Sequence, residues 1–251
     1  MTTTPAPVVL ITGALTGIGR ATAIAFAKEG ARLVVSGRRE EAGHALVDEL
    51  KALGAEACFI RADVRHEAEV SALIDGAVAR FGRLDVAVNN AGVEGAGGPV
   101  AAQTPQTYAD VFDTNVLGVL LSLKHELRVM GPQGSGAIVN VSSIAGKQGF
   151  AGAGVYVASK FAVEGLTRTA ALEALPFGVR INAVAPGPIE TPMIDRFTGN
   201  DAAAKAGFLS LIPAGRAGAP EEVAETILFL ASDKAAFIYG QSLNVDGAMT
   251  A

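Results

Sequence analysis

Short apolar runs alternate along the chain with longer stretches in which apolar residues recur every three or four positions. The first pattern reads as strand and the second as amphipathic helix. Residues 8–11 open the series as a strand, followed by a helix over 17–29, a strand over 32–36 and a helix reaching residue 53. The alternation continues with strand 57–60, helix 67–81, strand 84–88, a long helical stretch over 108–130 and strand 137–141. Helix 156–175, strand 179–185, helix 221–231 and strand 242–245 complete it. Strand–helix–strand order of this kind feeds right-handed crossovers onto a parallel sheet. The strand runs are apolar at successive rather than alternate positions, as a sheet covered by helices on both faces requires. The expected fold is α/β, a doubly wound parallel sheet. One stretch, 186–218, breaks the pattern with Pro186, Pro188, Pro192, Pro213 and several glycines. It follows the C-terminal end of a strand, where such a segment can cover a site, so a lid is expected over about 188–215.

Composition narrows the class. Half of the residues are hydrophobic and 18% are charged, which suits closely packed helices on a sheet rather than a disordered chain. No linker, composition shift or internal repeat divides the 251 residues, so one domain over 1–251 is expected. A net charge of -5 with no basic run leaves no footprint for nucleic acid or an anionic membrane surface. Residues 1–7 lack the basic and apolar segments of a signal peptide, and no apolar run reaches the roughly 18 residues that span a bilayer. A cytoplasmic location follows as the expectation. The lone Cys58 lies in a predicted strand and reads as a small packed hydrophobe, not a nucleophile. His44, His66 and His125 have no metal-ligand spacing and read as surface, so no metal is expected.

Chemistry first appears after the first strand, where Thr12, Gly13, Ala14, Leu15, Thr16, Gly17, Ile18 and Gly19 open into a helix. Glycines there let a pyrophosphate approach bare backbone N–H groups at a helix N-terminus. The spacing is G-x-x-x-G-x-G rather than G-x-G-x-x-G, so the strand–loop–helix context carries the argument. The second strand ends in Ser36, Gly37, Arg38 and Arg39. A carboxylate at this place serves the ribose hydroxyls of NAD, whereas guanidinium groups suit the 2'-phosphate of NADP, so NADP is favoured over NAD.

Tyr156 and Lys160 stand four apart at the start of a predicted helix and share one face. A phenol near pKa 10 exchanges protons poorly at neutral pH, and a nearby ammonium favours its ionised form. Lys160 is expected to supply that charge. Ser143 follows the strand at 137–141, at the sheet edge where such folds place ligands, and its hydroxyl is suited to holding a substrate oxygen.

Taken together, these motifs resemble the short-chain dehydrogenase/reductase family, in its group of single Rossmann-type domains of about this size. The match runs nearly the whole chain: Thr12, Gly13, Gly17, Ile18 and Gly19; Asp63 and Val64; Asn89, Asn90, Ala91 and Gly92; Asn115; Ser143; Tyr156, Ala158, Ser159 and Lys160; Pro186 and Gly187. The resemblance implies that Tyr156 is general acid or base, that Ser143 polarises the carbonyl, and that Lys160 lowers the tyrosine pKa and bonds the nicotinamide ribose. Asn115 would hold a water linking this lysine to solvent. The family's serine usually lies thirteen positions before its tyrosine, which selects Ser143 over Ser142. Cofactor contacts are implied for Gly13, Leu15, Thr16, Gly17, Ile18 and Gly19, and for Gly37, Arg38 and Arg39. Asp63 would meet the adenine with Val64 beside it; Asn89, Ala91 and Gly92 would shape the floor; Pro186, Gly187, Ile189 and Thr191 would border the nicotinamide.

The chain also departs from common family patterns. Leu15 and Thr16 stand where some NADP-dependent relatives have a basic residue, so phosphate recognition would rest on Arg38 and Arg39. Glu94 either tunes the substrate pocket or faces solvent. The residues choosing the substrate are expected in 186–218 and around Glu94, Gln148 and Phe150, with Pro192, Met193 and Phe208 implying an apolar, mid-sized pocket. The apolar C-terminal segments resemble those that bury against a neighbouring subunit, implying a homotetramer. The expected activity is hydride transfer between NADP(H) and a ketone or secondary alcohol. An NAD-dependent dehydrogenase of a sugar or secondary alcohol is the alternative. An acyl-carrier-linked ketoreductase would want a basic patch that 128–136 lacks, and a non-catalytic cofactor-binding regulator would have no use for an intact Asn115, Ser143, Tyr156 and Lys160.

Overall fold

The computed structural model describes residues 6–251; residues 1–5, most of the stretch read for a signal peptide, lie outside it. Seven strands form one all-parallel sheet in the order β3-β2-β1-β4-β5-β6-β7. They are β1 (Val8–Thr12), β2 (Arg32–Gly37), β3 (Ala57–Arg61), β4 (Val86–Asn89), β5 (Gly136–Val141), β6 (Val179–Pro186) and β7 (Ser242–Val245). β4 starts two residues later than its apolar run because the Gln133 side chain takes the Leu84 backbone, accepting from its N–H and donating to its carbonyl.

The continuous apolarity of the strands has the expected cause. Val9 and Ile11 of β1 face a layer made by α1 (Gly17–Lys28), α2 (Glu40–Ala52) and α9 (Pro220–Ala231). Val8 and Leu10 face the opposite layer of α3 (Glu67–Phe81), α5 (Gly118–Gln133) and α6 (Gly154–Ala174). Side chains alternate along a strand, so both sets must be apolar when helices cover both faces.

Three sequence expectations need correction. The helical stretch expected over 108–130 is α4 (Pro105–Phe112), a π turn (Asp113–Leu117) and α5. Apolar periodicity runs through this break unaltered; what the extra residue of the π turn does is aim Asn115 inward, where it is 1% exposed. The segment read as irregular holds two short helices, α7 (Pro192–Phe197) and α8 (Ala202–Leu209). Pro192 sits in the first turn of α7, where its missing N–H costs no bond, and the Asp201 side chain accepts from the N–H groups of Ala203 and Ala204 to cap α8. His125, read as surface, is buried and pairs with Glu67 at 3.3 Å. Cys58 is half-buried on edge strand β3, and burial pushes its thiol pKa up, in line with an inert role.

Candidate active site

β1 and β4 are neighbours in register, Thr12 beside Asn89, and the strand order reverses between them. Loops leaving the two strands therefore splay apart and open a crevice at the C-terminal sheet edge. Gly13 and Gly17 have φ of 62° and 55°, a region costly to residues with a side chain. A Cβ at Gly13 would stand 2.8 Å from Ala91 Cα, and one at Gly17 would stand 3.0 Å from Thr191 Cγ2. Asn90 ties the loops together. Its amide donates to the carbonyls of Thr12 (3.1 Å) and Gly13 (2.9 Å), while its own N–H and that of Ala91 donate to Thr12 Oγ1.

Gly13, Leu15, Thr16, Gly17, Ile18, Gly37, Arg38, Asp63, Val64, Ala91, Gly92 and Thr191 line one cleft over this crevice. Of the remaining residues expected at the cofactor, three line neither this cleft nor the one that joins it. Gly19 packs beneath the loop, where a Cβ would lie 2.4 Å from Asn90 Nδ2. Arg39 is exposed at the N-cap of α2. Asn89 turns into the sheet, its amide donating to Glu126 and Asn140. Successive side chains at a strand end point to opposite sides, so Asn90, whose side-chain role the motif did not reveal, is the one that reaches the cleft. Asp63 is held by Arg65, which donates through Nε to both carboxylate oxygens and through Nη2 to Oδ2 (2.6 Å). That pairing holds its carboxyl at about 2, so it is ionised throughout the neutral range.

A second cleft joins the first and contains the expected chemical groups, Ser143, Tyr156 and Lys160, with Pro186, Gly187 and Ile189. α6 begins two residues before the expected start, so Tyr156 lies within its first turn and Lys160 one turn on. Ser143 ends the β5 edge as the cap of a 3-10 turn, its Oγ accepting from the Ala145 N–H at 3.1 Å. Asn115 accepts from the Val93 N–H (2.8 Å) and donates to the Val93 carbonyl (2.9 Å) and Ser159 Oγ (3.0 Å). Its amide thus clamps the loop after β4 against α6.

The electrostatics run against the sequence expectation for Tyr156. Burial pushes its phenol up to about 12; the Ser143 hydroxyl offsets part of that and the Glu94 carboxylate adds to it. Lys160 is not among the groups moving it. The ammonium donates to the Val141 carbonyl at 2.9 Å and lies 5.7 Å from the tyrosine ring centre. Burial in turn brings Lys160 down to about 8, against the pull of Glu164.

Glu94, left open between pocket and solvent, lines the second cleft. Its carboxylate accepts from Arg196 of α7 through Nε (2.6 Å) and Nη2 (3.1 Å), tying the expected lid to the loop after β4. Lys205 of α8 pairs with Glu190 and with Asp195 (2.8 Å) inside the same segment. Ile194, Phe197 and Phe208 join Phe150 and Met193 in an apolar wall, whereas Gln148 does not reach it. No group of three or more potential metal ligands occurs among the described residues. No helix among them is long and apolar enough to cross a membrane.

Comparison with known proteins agrees with this geometry. A family model described as enoyl-(acyl carrier protein) reductase matches residues 13–250. Cyclohexanol dehydrogenase of Acinetobacter sp. is 42% identical over 243 residues, covering 97% of this chain and 94% of its own. The crystal structure of levodione reductase superposes with a TM-score of 0.93 at 38% identity over 96% of both chains. A variant actinorhodin polyketide ketoreductase with NADPH gives 0.93 and 38% over 99% of both. A crevice at the strand-order reversal, a serine, tyrosine and lysine in the adjoining cleft and a match over nearly the whole length converge: the chain belongs to the short-chain dehydrogenase/reductase family and is an oxidoreductase of alcohol and carbonyl groups that uses a nicotinamide dinucleotide.

Proposed function

We propose that this protein is an NADP(H)-dependent reductase of neutral, apolar, mid-sized ketones, with Tyr156 as the proton-transfer group. The observation that carries the reading is the junction of the two clefts. They share Ile18, Asn90, Gly92, Thr191 and Met193, so a ligand in the glycine-lined cleft abuts one held at Ser143 and Tyr156. The cradle at Gly13 and Gly17, which a Cβ would fill, fits a dinucleotide pyrophosphate, and exposed Arg38 at its rim fits a 2'-phosphate. When bound, that cofactor supplies or accepts the hydride.

The protein's own part is to bind and orient the carbonyl and to move one proton. Ser143 Oγ and the Tyr156 hydroxyl hold the carbonyl oxygen, and Tyr156 donates its proton to that oxygen as the alcohol forms. A phenol held near 12 is protonated at neutral pH, the state in which it can donate to the carbonyl oxygen. Lys160 keeps the ribose contact that the resemblance assigns; with the Asn115 amide engaged by Val93 and Ser159, a water linking Lys160 to solvent would be held by another atom of that turn. The apolar wall of Phe150, Met193, Ile194, Phe197 and Phe208 fits a ring ketone, and the names of cyclohexanol dehydrogenase and levodione reductase are in keeping with it. Replacing Tyr156 by Phe is expected to lower kcat by about a thousandfold or more while dinucleotide affinity stays near normal; retained turnover would overturn the assignment.

Arg39 outside the cleft leaves Arg38 alone at the phosphate position, which is the observation favouring the NAD-dependent alternative. One charge-assisted pair corresponds to at least about a tenfold preference in kcat/KM for NADPH over NADH. Equal or better turnover with NADH removes the NADP reading. The proposal also includes a cytoplasmic homotetramer. Phe237, 97% exposed close to edge strand β7, supports the assembly, and sedimentation together with cell fractionation tests both.

A further inference from the structure

Behind the site floor, a buried polar chain crosses the layer between the sheet and the α5–α6 helices. Asn89 Nδ2 donates to Glu126 Oε2 (3.1 Å) and to Asn140 Oδ1 (3.0 Å), and Asn140 Nδ2 donates to Thr167 Oγ1 (2.9 Å). Glu126 is fully buried, and no ion pair reaches it among the described residues. Two atoms of this chain, Glu126 Oε1 and Asn89 Oδ1, are buried with no hydrogen-bond partner. Both are acceptors, so neither can satisfy the other unless one carries a proton. A proton on Oε1 would supply the missing donor: beside the observed Asn89 N–H to carboxyl contact, a carboxyl O–H donating to the Asn89 oxygen would close an acid–amide ring and remove both deficits.

We propose that Glu126 is a neutral carboxylic acid paired in this ring with the Asn89 carboxamide, and that the pair positions the site floor until Glu126 ionises. Asn89 immediately precedes Asn90, which ties Thr12 and Gly13 to the loop after β4. Asn140 immediately precedes Val141, whose carbonyl receives Lys160. The ring and its extension therefore lock the ends of β4 and β5, from which the dinucleotide cradle and the lysine are held. Burial pushes the Glu126 carboxyl up to about 8, with Asn89 opposing. The elements packed against α5 carry Glu67 and Asp75 of α3, paired to α5 residues, Asp113 of the π turn, Lys160, Glu164 and Glu173 of α6, and Arg180 of β6; β4 and β5 carry no charged residue and contribute the two asparagines. None of these charges is among the influences on Glu126.

The pairing stands by itself, and its effect on turnover rests on the reductase reading, so two measurements separate them. Infrared difference spectra of the intact protein at neutral pH are expected to show a protonated-carboxyl carbonyl band in the wild type that E126Q lacks. In ketone reduction, E126Q can form an amide–amide ring of the same shape and is expected to keep kcat within about threefold, whereas E126L leaves Asn89 without its partner on α5 and should lose at least about tenfold. Raising the pH by about one unit beyond the ionisation should lower wild-type kcat about tenfold relative to E126Q. No band difference at neutral pH overturns the pairing whether or not the protein reduces any ketone. With the band present, an E126L protein that keeps wild-type kcat and pH profile overturns the positioning role, and so does E126Q failing as badly as E126L.

Discussion

Lys160 should make the protein less stable, not more. Its ammonium is buried, 6% exposed, and burial lowers its pKa from 10.5 to about 8. At about 1.4 kcal/mol per pH unit, that gap means that keeping Lys160 charged in the fold costs about 3 kcal/mol. Lys160→Met keeps most of the packing volume, removes the charge and gives up one hydrogen bond to Val141 of about 1 kcal/mol. The variant is therefore expected to be more stable than the wild type by about 2 kcal/mol at pH 7, and inactive. The pH dependence is distinctive. The wild-type penalty is complete below about pH 8, shrinks above it as the folded protein sheds a Lys160 proton that the unfolded chain still holds, and vanishes above about pH 10.5, where both have lost it. Urea unfolding of both proteins at a series of pH values measures the gap between them, which should narrow steadily from pH 8 upward. A variant less stable than wild type at pH 7, or a gap that does not change with pH, would refute the reasoning.

Two further substitutions test other parts of the site. Gly13→Ala must hold a left-handed φ of 62° with its Cβ 2.8 Å from Ala91 Cα, and strain and overlap together come to about 2–5 kcal/mol. Thermal melts and fluorescence titration are expected to show a lower Tm and dinucleotide affinity reduced tenfold or more; wild-type affinity would remove the cradle reading. Glu94→Gln withdraws a carboxylate that raises the Tyr156 phenol, so a tyrosine-dependent limb in the pH profile of kcat should move to lower pH. The same change weakens the contact with Arg196 of α7, and KM for the ketone should rise; an unmoved limb shows that Glu94 does not act on Tyr156.

How much of this was legible in the chain depended on the distance between partners. Tyr156 and Lys160 lie one helical turn apart, and Gly13, Gly17 and Gly19 lie in one loop, so their joint purpose shows in local spacing. Strand apolarity is likewise local and announced a sheet covered on both faces. Asn90 was in view as part of a motif, yet its purpose, binding the Thr12 and Gly13 carbonyls, depends on residues 77 and 78 positions away. Glu94 was visible as a carboxylate but undecided, because its partner Arg196 is 102 positions on. The π turn that aims Asn115 was illegible because apolar periodicity passes through it unchanged.

By itself, then, the sequence determined the doubly wound architecture, the glycine cradle and the serine, tyrosine and lysine of the second cleft, since each is written in short-range pattern and order. Tertiary structure alone decided which side chain of the Asn89–Asn90 pair reaches the cleft, which arginine stands at its rim, and which way the pKa of each buried group moves. Those last depend on desolvation, a property of the packed interior that no spacing encodes: burial raises the Tyr156 phenol that Lys160 was expected to lower, and raises the Glu126 carboxyl.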